Sequence, residues 1–150
     1  MADQYAVNHK KRHVTVPAKL TDVADQGGRM RMMYDIFTFT SPNIAMAIND
    51  TISFGKLPPG AKVWDASLHQ SASLAGSTTL ALGITGTPAA FLIAAASTAV
   101  GTRHMREGVS NITLAPVTIT SETTVIATIG GATATTTTAF VEVRIYYTVD

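Results

Sequence analysis

Four histidines, His9, His13, His69 and His104, are the side chains in this sequence best suited to hold a metal or move a proton near neutral pH. His9 and His13 lie four apart, which makes a metal pair only on a helix face, and the residues around them have no helical period. Asp65 and His69 have the same spacing inside a stretch that alternates like a strand, two pleats apart, with no His-x-x-x-His or Glu-x-x-His partner. All four read as solvated or loop histidines, and no metal site is expected. Glu107, Glu122 and Glu142 are scattered, so nothing signals the two converging carboxylates of a glycosidase. Glu142 is expected to face away from the apolar side of its strand and to pair across a strand with a base. The absence of cysteine excludes a thiolate nucleophile, a thiolate zinc knuckle, an iron–sulfur centre and any disulfide. There is no Gly-x-Ser-x-Gly elbow. Gly83-Ile84-Thr85-Gly86 lacks the Gly-Lys-Ser/Thr ending of a phosphate cradle and reads as a turn. No catalytic residue and no cofactor is expected.

Whatever positions these groups is built from a chain poor in charge. Its 150 residues make one domain, and charged residues are 14% where about 25% is usual. Threonine and alanine dominate, so much of the surface must be small and uncharged. The net charge of +1 conceals an asymmetry. Up to residue 31 the bases Lys10, Lys11, Arg12, Lys19, Arg29 and Arg31 face only Asp3, Asp22 and Asp25, and the remainder is slightly acidic. Such a distribution favours an electrostatic contact made by the amino end. The body lacks the basic residues interleaved with stacking aromatics that a nucleic-acid surface needs, so no nucleic-acid partner is expected. No signal peptide is apparent, and the longest apolar run, Pro88 to Val100, is shorter than the ~20 residues of a membrane span. A soluble protein with no membrane partner is expected, and the sequon at Asn111 carries no meaning.

Hydrophobic periodicity divides the chain into residues 1–28, an extended basic arm closed by Gly27-Gly28, and residues 29–150, a β-sandwich domain. Alternation predicts strands over 29–40, around Ile44 to Phe54, over 61–68, 78–84, 109–119 and 123–129, and most strongly over 139–149. On the last, Val141, Val143, Ile145 and Tyr147 share one face and Phe140, Glu142, Arg144 and Tyr146 the other. Leu57-Pro58-Pro59-Gly60 is a turn. Thr87-Pro88 reads as an N-cap with proline at the first helical position, which predicts a helix of two turns over 89–96. The expected class is all-β, a β-sandwich or jelly roll with one short helix. Trp64 is expected between the two sheets, against Leu68, Leu82 and Val143, on the face opposite Val63.

Three stretches, in order, carry a resemblance: Phe54-Gly55-Lys56-Leu57-Pro58-Pro59-Gly60-Ala61, Leu80-Ala81-Leu82-Gly83, and Phe91-Leu92-Ile93-Ala94-Ala95. Together with the closing Val141-Glu142-Val143-Arg144-Ile145-Tyr146-Tyr147 they resemble the capsid decoration (cement, or head-stabilising) proteins of tailed bacteriophages. The resemblance spans residues 30–149. It departs at Ile84, where typical members carry an aspartate. It implies a virion protein on the capsid exterior, assembled in the host cytoplasm, binding the major capsid protein, commonly as a homotrimer, and without enzymatic activity. On that reading Lys10, Lys11, Arg12, Lys19, Arg29 and Arg31 are the candidate capsid contacts. Methionines such as Met30, Met32, Met33 and Met46 would supply adaptable apolar contact. Two alternatives share the architecture. A carbohydrate- or receptor-binding jelly roll of a phage head or tail fibre would expose Trp64, Tyr146 or Tyr147, and a small hydrolase would need a pocket.

Overall fold

A computed structural model describes residues 29–39, 45–106, 116–135 and 138–149. The cluster Lys10, Lys11, Arg12 and Lys19, the arm boundary at residue 28 and most of the strand expected over 109–119 lie outside the described residues. Eleven strands follow in chain order: β1 (Met30–Thr38), β2 (Ala45–Met46), β3 (Thr51–Leu57), β4 (Lys62–Gln70), β5 (Thr79–Ile84), β6 (Thr87–Ala96), β7 (Gly101–His104), β8 (Val117–Thr118), β9 (Thr123–Gly130), β10 (Ala134–Thr135) and β11 (Phe140–Thr148). One sheet has the order β1-β11-β4-β7, with β8 also on β4. The other has the order β3-β9-β5-β6, and β2 and β10 form a small ribbon. Every pairing is antiparallel.

The alternation seen in the sequence is what lets the two sheets share one core. β11 turns Val141, Val143 and Ile145 inward, β9 contributes Val125, Ala127 and Ile129, and β5 contributes Leu80 and Leu82. Phe39, Phe54 and Phe91 complete the cluster with Leu57, Leu68 and Leu74. Full burial of such side chains removes apolar area worth roughly 1.5–3 kcal/mol each, so the sandwich needs no covalent staple.

Two expectations are corrected. Residues 87–96 form strand β6, and no helix occurs among the described residues. The Thr85-Gly86 turn, with Gly86 at φ +87°, returns Thr87 opposite Ile84, so the chain doubles back onto β5 at once. The approach is close: a Cβ on Gly83 would collide with the Thr87 carbonyl oxygen. Pro88 is tolerated because β6 is an edge strand. An isolated two-turn helix is marginal below about 12–15 residues. A strand here covers one edge of β5 and buries Phe91 and Leu92.

The second correction concerns Trp64. Tyr146 faces Asp65 but Tyr147 faces Val63, so Trp64 is an extra residue, a β-bulge, on β4. A bulge resets the two-residue period. Val63, Ala66 and Leu68 therefore all point into the core, whereas Trp64 is only half-buried and donates its indole N–H to Thr148 Oγ1 at 3.0 Å. It does not lie between the sheets.

Candidate functional site

The outward face of the five-stranded sheet gathers most of the chemistry that the sequence distributes along the chain. Register sets its rows. Ile36, Glu142, His69 and Thr102 stand side by side across β1, β11, β4 and β7, and the next row is Tyr34, Arg144, Ser67 and His104. Met32, Tyr146 and Asp65 form a third row. Ser67, His69, Thr102, His104, Phe140, Glu142 and Arg144 line an open depression of about 420 Å³.

Within it the polar groups are matched to one another. Glu142 is held by Arg144 on its own strand. His69 Nδ1 lies 2.8 Å from Thr102 Oγ1, and its ring leans on Phe140 with centroids 5.8 Å apart. His104 Nδ1 is 3.7 Å from Asp65 Oδ2, a contact that becomes an ion pair when the imidazole is protonated. No group of three or more potential ligands able to hold a metal occurs among the described residues. Asp65 and Glu142 are separated by four residues of strand, about 13 Å at a rise of 3.3 Å. Glycosidases hold their two carboxyls roughly 5–9.5 Å apart, so these two acids do not make such a pair. What the depression offers is hydrogen-bonding capacity on a firm sheet.

Beside it lies an apolar stripe. Met30, Met32, Tyr34 and Ile36 alternate along β1 on the outward face and are 60%, 55%, 51% and 45% exposed. Alternate residues Met33 and Phe37 pack on the core. A run of large exposed apolar side chains along one strand marks a contact surface.

Arg29 is exposed just ahead of β1, and Arg31 is exposed on it. Thus two of the six basic candidates come together at one end of the edge strand, while the other four lie outside the described residues. The sequence puts Glu142 and Arg144 on one face but expects Glu142 to find its base across a strand, whereas its partner stands two residues along its own strand. The sequence misses His104, because β7 joins β4 only through long-range register. Arg103, beside it, does something different. Its side chain points inward and crosses to the second sheet, donating to Leu80 O at 2.8 Å and Ile93 O at 3.3 Å, and burial pushes its guanidinium below the usual range. No helix among the described residues is long and apolar enough to cross a membrane.

No family model matches the chain, and no curated protein does. Solved structures do. A chain of the cyanophage Pam1 capsid asymmetric unit matches 91% of this chain and 96% of its own length, at 20% identity and a TM-score of 0.64. One in the capsid of Ralstonia phage GP4 matches 88% and 92%, at 20% identity and 0.63. One in the acid-stable capsid of Helicobacter pylori bacteriophage KHP30 matches 80% and 87%, at 19% identity and 0.58. At these identities the likeness is one of fold, and it extends over nearly the whole of each partner: the sandwich is an architecture found in phage capsids.

Proposed function

We propose that this protein is a structural component of a phage virion that binds the outer surface of the capsid and stabilises it by bridging capsomers. The observation that carries the reading is the near end-to-end match to a chain of similar length in the Pam1 capsid asymmetric unit. A low-charge chain with an exposed apolar stripe suits this work, since charge is depleted where protein interfaces are fully buried. Repetition over a lattice multiplies weak contacts by avidity. In this reading the major capsid protein is the partner, the role is mechanical rather than catalytic, and Lys10, Lys11, Arg12, Lys19, Arg29 and Arg31 meet an acidic surface of the shell. The test is to mix purified protein with undecorated capsids of the same phage. Saturable binding on the outside and a raised temperature of capsid disruption are expected, and capsids that neither bind it nor gain heat resistance refute the reading.

A second reading has one observation in its favour. Trp64 lies off the core and Tyr146 lies on the polar outward face, where a saccharide could stack and hydrogen-bond. Binding of the isolated protein to a glycan panel, lost in Tyr146→Ala, would favour a receptor-binding role over a cementing one.

A further inference from the structure

We propose that two copies of this protein join along the free edges of β1, forming one continuous antiparallel sheet about a two-fold axis at Met33. The inference is independent of the capsid reading.

The edges of the two sheets differ in how they are protected. β7 has only four residues. β6 carries Pro88 and pairs with β5 through two register shifts, and β3 carries Lys56 and a shift of its own. These are the devices by which proteins blunt an edge against further pairing. β1 has no proline, no lysine and no register shift, and its two charges, Arg31 and Asp35, are of opposite sign and four residues apart on one pleat. It runs nine residues in unbroken register with β11, no described strand covers its other side, and its outward side chains are Met30, Met32, Tyr34 and Ile36.

Antiparallel geometry and charge select the partner and the register. When a strand pairs antiparallel with its own copy, opposite residues must share both hydrogen-bonding direction and face, so the two-fold axis has to pass through a residue. With the axis at Met33, Arg31 of each copy stands opposite Asp35 of the other. On the outward face Met32 then meets Tyr34 and Met30 meets Ile36. Neither Arg31 nor Asp35 has an ion-pair partner among the described residues; Asp35 accepts only the Ile36 backbone N–H through Oδ1. An axis at Tyr34 would set Arg31 against Phe37 and Asp35 against Met33. Parallel in-register pairing would set like charge on like charge, which is unfavourable across strands. Within β1 itself the two charges thus face each other only with the axis at Met33; an axis at Met32 would instead set Arg29, just ahead of the strand, opposite Asp35, and the Met32→Cys variant below distinguishes the two registers.

The chain has no cysteine, so single cysteines can read that register in the full-length protein. Residues opposite each other on antiparallel strands have Cα atoms about 4.5–5.5 Å apart, within disulfide reach. Met33→Cys should therefore form a disulfide-linked dimer under mild oxidation at least several-fold faster than Met32→Cys or Tyr34→Cys. Sedimentation should show reversible association of the unmodified chain. Arg31→Asp should weaken it about tenfold, and Arg31→Asp with Asp35→Arg should restore it. That rescue separates pairing from any effect on folding. The proposal is overturned by a chain that stays monomeric at high micromolar concentration, or by a three-fold assembly in which the Met33→Cys variant does not cross-link. It is overturned equally by crosslinking that appears only after residues 1–28 are removed, since the edge would then be covered within the same chain.

Discussion

Trp64 and Arg103 show how far a side chain's role can depart from its type. The indole of Trp64 is lifted out of the core by the bulge and tied to Thr148, so its deletion removes part of a surface and one hydrogen bond. Trp64→Phe should cost about 1 kcal/mol, the net worth of a single hydrogen bond. Trp64→Ala should stay well below the roughly 3–5 kcal/mol of a fully buried aromatic. Urea denaturation of both variants checks this, and a core-sized loss for the alanine variant would contradict the outward placement. Arg103 has the opposite character, a half-buried cation at the edge of the sandwich whose two bonds to carbonyls on β5 and β6 join the sheets. Arg103→Met should destabilise by about 2 kcal/mol. Arg103→Lys should rescue little of that, because one ammonium lacks the planar fork that reaches two carbonyls. A lysine variant as stable as the parent would show that charge alone is what that site requires.

Element by element, the sequence discloses strands where alternation is strict and misleads where a bulge or a partner intervenes. β11 is legible as far as Ile145: its inward Val141, Val143 and Ile145 and its outward Glu142 and Arg144 fall as the period demands, while opposite the bulge Tyr146 and Tyr147 are both half-buried and Thr148 is buried. β4 is legible as a strand but not in its facing, because the extra residue at Trp64 is defined by β11 and leaves no local mark. β6 is the misread element. Thr87-Pro88 followed by alanines satisfies the local rules for a helix start, and only the edge position on β5 reveals a strand. Its facing is testable. Phe91→Ala should cost about 3–5 kcal/mol, whereas Ile93→Ala, at an exposed position, should cost under about 0.5 kcal/mol. Equal losses at 91 and 93 in thermal melts would argue against the observed facing. Of the outward site, Asp65, His69, Glu142 and Arg144 could be put on two faces from the sequence. Bringing those faces together with His104 required pairings that span the chain.

For the whole molecule, attachment and folding can be separated experimentally. If the bases near the amino end meet an acidic shell surface, removal of residues 2–27 should leave the melting temperature of the sandwich unchanged while weakening capsid binding. Lys10, Lys11 and Arg12 changed together to Ser should produce part of the same loss. The difference between parent and variant should shrink as salt rises, because exposed charges are screened over about 8 Å at physiological ionic strength. Equal binding of truncated and full chains at every salt concentration would assign attachment to the sandwich alone. The sandwich itself carries a constraint on timing. β11 lies between β1 and β4, in the interior of its sheet, yet it is the last of the described strands to be synthesised. Until it emerges from the ribosome, β1 and β4 have no neighbour in common, and the inner face of that sheet lacks Val141, Val143 and Ile145. Strand pairings this distant in sequence form slowly, and half-built sheets with open edges are prone to stick to one another. The nascent chain must therefore wait for β11 before the two sheets can close on one core. Shortening the chain by that strand should yield no smaller sandwich at all, only a polypeptide that chaperones retain or that aggregates.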